Sequence, residues 1–208
     1  MREILGYGED ALTLWALKEK LPVFLKLLKD TSRPGECQIF FRPSFGRRGG
    51  EKSSQFGEFD FIVLSQKCLY LGESKWDRSS EKIINNELQL REEQVIRHQL
   101  FKFYVREWVS GNYTSWTQFE NDAKPRLAET GLRKPIAPTG SLLASNLETV
   151  LRIVKEYFGD VPEIKNVLLF LHKGMPKNEL PQKVDNDFEV TALDYAQESV
   201  DNYIRIMV

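Results

Sequence analysis

The sequence predicts an α/β protein, and three observations carry that class. Segments with apolar residues at three-to-four spacing alternate with short β-prone runs. Two apolar runs between Glu58 and Lys75 flank a tight polar connection, as the strands of a hairpin do. Val167 to Leu171 is wholly apolar and bounded by Asn166 and His172, which suits a strand buried on both faces.

Taken in order, Leu12, Trp15, Ala16, Leu21, Phe24, Leu25 and Leu28 predict a first helix from Glu9 to Lys29, bent at Pro22. It stops at Thr31-Ser32-Arg33-Pro34-Gly35. Gln38 to Arg42 is a short β-prone run, and Pro43 to Gly50 is a glycine-rich basic loop. Glu58 to Leu64 and Cys68 to Lys75 form the hairpin, joined at Ser65-Gln66-Lys67. Helical spacing returns from Ile83 to Val109 and ends at Gly111-Asn112. Tyr113 to Pro138 reads as a short helix followed by an irregular segment, and Ser141 to Phe158 as an amphipathic helix closed by Gly159. After the apolar strand come a weak strand at Phe188 to Thr191 and a last helix from Leu193 to Ile204. The whole is expected to be one domain, 1–208, with 110–165 as an insertion or subdomain.

Composition narrows the function. The 208 residues are 41% hydrophobic and 28% charged, with 13 Gly and 9 Pro, which excludes disordered and collagen-like chains. Two cysteines, Cys37 and Cys68, cannot build a disulfide framework, and no Cys/His cluster has zinc spacing. No signal-peptide pattern opens the chain and no apolar run reaches the ~20 residues of a membrane span, so an intracellular, cytoplasmic protein without a membrane is expected. Gly-x-Ser-x-Gly and P-loop sequences are absent as well, and only His98 and His172 carry imidazole. Carboxylates and lysines must then carry any chemistry. The formal net charge of −1 hides a segregation: six acids and no Lys or Arg lie between Asp185 and Asp201, which leaves +5 on the remainder.

Asp60, Glu73 and Lys75 sit on the two hairpin strands. With the turn centred between Gln66 and Lys67, opposed residues have numbers that sum to 133, so Asp60 faces Glu73. Lys75 shares that face, and Ser74 points away. Two adjacent carboxylates repel unless a proton or a cation sits between them, and an oxygen-only donor pair suits Mg2+ or Mn2+. A neighbouring ammonium would steer a water for attack on phosphorus. Spacing alone leaves a second reading open, a cross-strand ion pair on a solvated sheet face.

Asp60, at the start of an apolar strand and followed thirteen residues later by Glu73-Ser74-Lys75, into which a second apolar strand leads, resembles the core of the PD-(D/E)xK nuclease superfamily, also called restriction-endonuclease-like. Phe59 stands where that motif often has proline. The resemblance spans Glu9 to Tyr104 and implies an α/β fold with an αβββαβ core, a mixed sheet and here a helical insertion. By resemblance, Asp60 and Glu73 bind the divalent metal and Lys75 assists the attacking water. Glu9 matches the acid such proteins often add from the first helix, with Asp10 as its neighbouring alternative. The implied activity is Mg2+- or Mn2+-dependent phosphodiester hydrolysis of nucleic acid, DNA above all and as an endonuclease. A homodimer would supply two sites for two strands. The alternative is a non-catalytic module that keeps the fold and binds nucleic acid or a protein partner. Arg47 and Arg48, in the glycine-rich loop, are candidate phosphate contacts. Gln94, with His98 one turn on, is a further candidate for substrate contact, whereas Trp108, Tyr113 and Trp116 are more simply core residues than base-stacking ones.

Overall fold

The computed structural model describes residues 2–45, 57–79, 83–84, 87–132, 136–184 and 187–208. It divides into two units, one made of Met1–Arg42, Phe59–Leu90 and Ile164–Val208, the other of Pro43–Glu58 and Arg91–Glu163.

The first unit opens with β1 (Glu3–Tyr7), and Gly8, at φ +86°, turns the chain sharply into α1 (Gly8–Glu19). The expected bent helix is two helices. α1 ends at Lys20, whose φ of −110° and ψ of 11° break the helical geometry, and α2 (Leu21–Leu27) restarts with Pro22 in its first turn, where a missing N–H costs nothing. β2 (Gln38–Phe41), β3 (Phe61–Leu64) and β4 (Cys68–Trp76) follow as an antiparallel run. After them come two short strands, β5 (Ile83–Ile84) and β6 (Glu87–Leu88).

The second unit carries α3 (Glu92–Ser110), α4 (Trp116–Glu129) and α5 (Leu142–Phe158). The helix expected from Ile83 therefore begins nine residues later, because Ile83, Ile84 and Leu88 pair as strands and Arg91 lies in extended backbone at the helix start. α3 packs on α4 and α5, and the whole stretch Arg91–Glu163 belongs with Pro43–Glu58 to this unit. Ser141 caps α5 by accepting the Ala144 N–H at 3.1 Å, and Gly159, at φ +75°, ends it. Trp108, Tyr113 and Trp116 pack with Tyr104 and Phe119, and both tryptophans are buried, so these rings hold the helices together.

β7 (Glu163–His172), β8 (Lys183–Val184), β9 (Phe188–Asp194), β10 (Ser199–Val200) and β11 (Tyr203–Met207) complete the chain. The central sheet has the order β2-β3-β4-β7-β9 and is mixed: β2, β3 and β4 are antiparallel neighbours, whereas β7 and β9 run parallel. Together with the five α-helices among the described residues this makes an α/β protein. Two small sheets, β1-β11-β10 and β5-β6-β8, stand beside the central one. The helix expected at Leu193 to Ile204 is thus corrected to the end of β9, a single 3-10 turn at Ala196–Glu198, β10 and the start of β11, whose buried Ile204 and Ile206 alternate with exposed Tyr203 and Arg205 in a period of two.

One face of the central sheet buries Phe61, Val63, Cys68, Tyr70, Val167, Leu169 and Leu171 against α1 and α2, chiefly against Trp15, Phe24 and Leu25. Each such side chain removed from water contributes on the order of 2 kcal/mol. Beneath that face Asp30 accepts hydrogen bonds from Ser32 N–H, Ser65 Oγ and Tyr70 Oη at 2.7, 2.6 and 2.8 Å. No helix among the described residues is long and apolar enough to cross a membrane.

Candidate active site

The hairpin register begins at Ser65. Its hydroxyl accepts the Cys68 N–H at 2.9 Å, and its own N–H donates to the Cys68 carbonyl at 2.9 Å, which closes the turn at Gln66 and Lys67. From there Leu64 pairs with Leu69, Val63 with Tyr70, Ile62 with Leu71 and Phe61 with Gly72. Every pair sums to 133. Asp60 lies one residue beyond the regular strand, yet its N–H still donates to the Gly72 carbonyl at 3.2 Å, which carries the ladder on to the Asp60–Glu73 step. Gly72 is needed opposite Phe61, because a Cβ there would fall 2.1 Å from the Phe61 ring.

The β4 side of this face is buried. Glu73 and Lys75 are 1% and 8% exposed, on a strand otherwise buried up to Trp76. The Asp60 carboxylate accepts the Ser74 N–H at 2.7 Å. Burial first, then the Glu73 charge, push the Asp60 carboxyl from 3.8 up to about 7; the Ser74 N–H opposes them, Glu9 adds to the rise and Lys75 offsets part of it. A carboxyl held near neutrality by burial and a like charge is poised to accept either a proton or a cation.

α1 supplies the third acid. Glu9 lies in its first turn, where the helix N-terminus favours a carboxylate. One Glu9 oxygen accepts the Trp76 N–H at 3.2 Å, and the other lies 3.7 Å from the Lys75 ammonium. Asp10 instead pairs with Arg42, on the exposed side. Arg42 is itself unusual, with φ at +47°, and its N–H donates to the Asp60 carbonyl at 3.0 Å. Sequence reasoning passed over this residue, which ties the strand before Asp60 to the first turn of α1.

Glu9, Asp60, Glu73 and Lys75 are therefore brought together within the first unit. Gln94 is on the first turn of α3, in the second unit, where its side-chain oxygen accepts the Arg91 N–H at 3.1 Å and caps the helix. His98, one turn on, is fully buried. Arg47 and Arg48 lie outside the described residues.

Among the described residues, no group of three or more His, Cys, Asp or Glu side chains is gathered closely enough to hold a metal ion. The donor set fits a smaller demand. Mg2+ is commonly held by one or two carboxylates, with water and substrate oxygens filling its other positions, and a buried Asp60 raised by Glu73 is the pair such an ion would neutralise. Glu9, already engaged with Lys75 and the Trp76 N–H, reads as a group that positions the lysine as much as a ligand. Comparisons with family models, with curated proteins and with solved structures found no match to this chain.

Proposed function

We propose that this protein is a divalent-metal-dependent nuclease on a restriction-endonuclease-like fold, an endonuclease that hydrolyses phosphodiester bonds of DNA. One observation carries the reading. Asp60, one residue before β3 and bonded through its N–H to Gly72, lies beside the buried Glu73, Lys75 shares the Glu73 face of β4, and the Asp60 carboxyl is pushed to about 7 by burial and by Glu73. Neighbouring carboxylates withdrawn from water oppose folding unless a proton or a cation sits between them. The order of helix, three antiparallel strands, helix and further strand supports the fold assignment.

In this reading Asp60 and Glu73 hold Mg2+ or Mn2+, with Glu9 as the accessory acid, and the ion supplies positive charge to the scissile phosphate and acidifies a water. The Ser74 N–H fixes one oxygen of Asp60, so the carboxylate is oriented before substrate arrives. Lys75 orients the attacking water for in-line displacement, and Glu9 holds the ammonium in place. The burial of Glu73 and Lys75 strengthens their interactions over their value in water.

The test is cleavage of plasmid and oligonucleotide DNA with Mg2+ by the wild type, Asp60→Ala and Lys75→Ala, alongside calorimetric titration with Mg2+. Loss of at least a hundredfold in rate is expected for both variants. Equal cleavage by the variants overturns the assignment, and DNA binding without cleavage or Mg2+ uptake by the wild type shows a non-catalytic binding module instead.

A further inference from the structure

We propose that β1 is a dimerisation edge, on which a second copy of this chain pairs its own β1 antiparallel about a two-fold axis through Leu5. The inference goes beyond the nuclease reading and does not depend on it.

The backbone fixes what this edge offers. Among the described residues β1 pairs on one side only, with β11. The Arg2 carbonyl accepts the Val208 N–H at 3.0 Å, so Arg2, Ile4 and Gly6 turn their main-chain groups towards β11. Those of Glu3, Leu5 and Tyr7 therefore leave by the free edge, because alternate residues of a strand bond to opposite sides. β11 keeps the same phase: the Met207 N–H turns away from β1 and donates to the Glu19 carboxylate at 2.6 Å. Tyr7 is still extended, at φ −127° and ψ 142°, so the edge runs through all of β1 before Gly8 turns the chain into α1. A row of donors and acceptors of this kind is a template for another strand.

The side chains along the edge are apolar and open to solvent: Ile4, Leu5 and Tyr7 are 55%, 49% and 63% exposed. Glu3 is the one acid of the strand, and Arg205 neutralises it at 2.8 Å. By contrast β9, an outer strand of the central sheet, exposes Glu189 and Asp194, charges of the sort that keep other strands off an edge.

Self-pairing fits this edge residue by residue. Antiparallel bonds join outward residues to outward residues, and centring the pair on Leu5 engages all three: Leu5 meets Leu5, and Glu3 meets Tyr7 on either side. The acid then faces a phenol instead of its own copy, so no like charges are opposed. Ile4 falls beside Gly6 of the second copy, which has no side chain to meet it. Gly6 is fixed as glycine by the fold, since a Cβ there would lie 2.6 Å from the Ala11 Cβ. Because the same surface is used twice, the contact closes at two copies. An unrelated peptide is the poorer occupant. Strand addition takes its specificity from pockets for alternate side chains, and the cleft next to this edge, between Gly6, Gly8 and Tyr203, has room for about one water.

The test is sedimentation velocity of the full chain over a concentration series, with circular dichroism to follow the fold of each variant. The wild type should sediment as a dimer. Leu5→Lys and Leu5→Glu each set like charges against one another on the axis, and each should weaken self-association about tenfold or more. An equimolar mixture of the two sets Lys against Glu and should recover the dimer. Leu5 is half-exposed, so both variants should melt as the wild type does. Ile39→Lys, on the outer strand β2, should leave association unchanged. A wild type that is monomeric at every concentration overturns the proposal and leaves β1 to a peptide of another protein. So do Leu5 variants that dimerise as the wild type does, a mixture of the folded variants that stays monomeric, or a dimer that only Ile39→Lys dissociates. DNA cleavage by a monomeric wild type sinks the dimer edge alone. A Leu5-dependent dimer that never cleaves sinks the nuclease reading alone.

Discussion

Asp60→Asn removes one charge from the buried acid pair and keeps an acceptor for the Ser74 N–H, so it separates the electrostatic cost of the site from its hydrogen bonding. The folded carboxyl titrates at about 7 against 3.8 for an ordinary one. Between those values the folded protein holds a proton that the unfolded chain has released. Stability therefore falls as pH rises through that window, and the full cost is present above it. At about 1.4 kcal/mol per pH unit, the interval corresponds to about 4 kcal/mol. For a chain of this size that is a melting-temperature difference of about 8 to 16 °C. The assay is thermal unfolding by circular dichroism in EDTA from pH 4 to 9. Wild type and Asp60→Asn should melt together at pH 4, and the variant should be progressively the more stable towards pH 8. Mg2+ should then recover most of the wild type's deficit. A difference between the two proteins that stays constant with pH, or that grows towards acid, refutes the claim that burial and Glu73 load this carboxyl.

Gly72→Ala places a methyl against the Phe61 ring and should destabilise the protein by about 1 to 3 kcal/mol in urea titrations, with loss of cleavage as Asp60 and Glu73 shift out of register. Ser74→Ala should do the reverse. Its hydroxyl is buried without a hydrogen-bond partner, so removing it should leave cleavage intact and stability unchanged or higher by about 1 kcal/mol. Asp30→Ala orphans the donors of Ser32, Ser65 and Tyr70 and should cost about 3 kcal/mol at pH 7. Burial raises the Asp30 carboxyl, but the Ser32, Ser65 and Tyr70 donors outweigh it and hold it below 3.8. Its contribution is therefore present above that value and lost as pH falls through the lower folded one. Unfolding of the wild type and the variant should converge in strong acid.

The hairpin was legible because its turn is short and its pairing is an arithmetic consequence of the turn's centre. Once Ser65 closes the loop, Asp60 opposite Glu73 follows without any knowledge of the remaining fold. α5 was legible for a similar local reason, having a serine cap and a glycine stop. The losses fall where local pattern is weak and distant pairing decides. Ile83, Ile84 and Leu88 fit helical spacing, but β6 finds a partner in β8, about a hundred residues away. β1 and β11 are five residues each and recognisable only through one another. Whether Glu9 or Asp10 meets the strand depends on the rotation of α1 about its axis, which the tertiary packing of Leu12, Trp15 and Ala16 sets. Gln94 has the composition of a site residue and the position of a cap, and its place three residues after Arg91 was the signal for the second.

The ladder from Glu3–Met207 to Tyr7–Tyr203 has a kinetic meaning. Closing a loop of roughly 200 residues costs on the order of 5 kcal/mol of chain entropy before the first pair is rewarded. The β1–β11 ladder is thus expected to form late in folding, and the hairpin of β3 and β4, which closes across the two-residue turn Gln66-Lys67, early. The first and last strands of the described chain therefore reach their final places together, and a substitution that weakens either should loosen both.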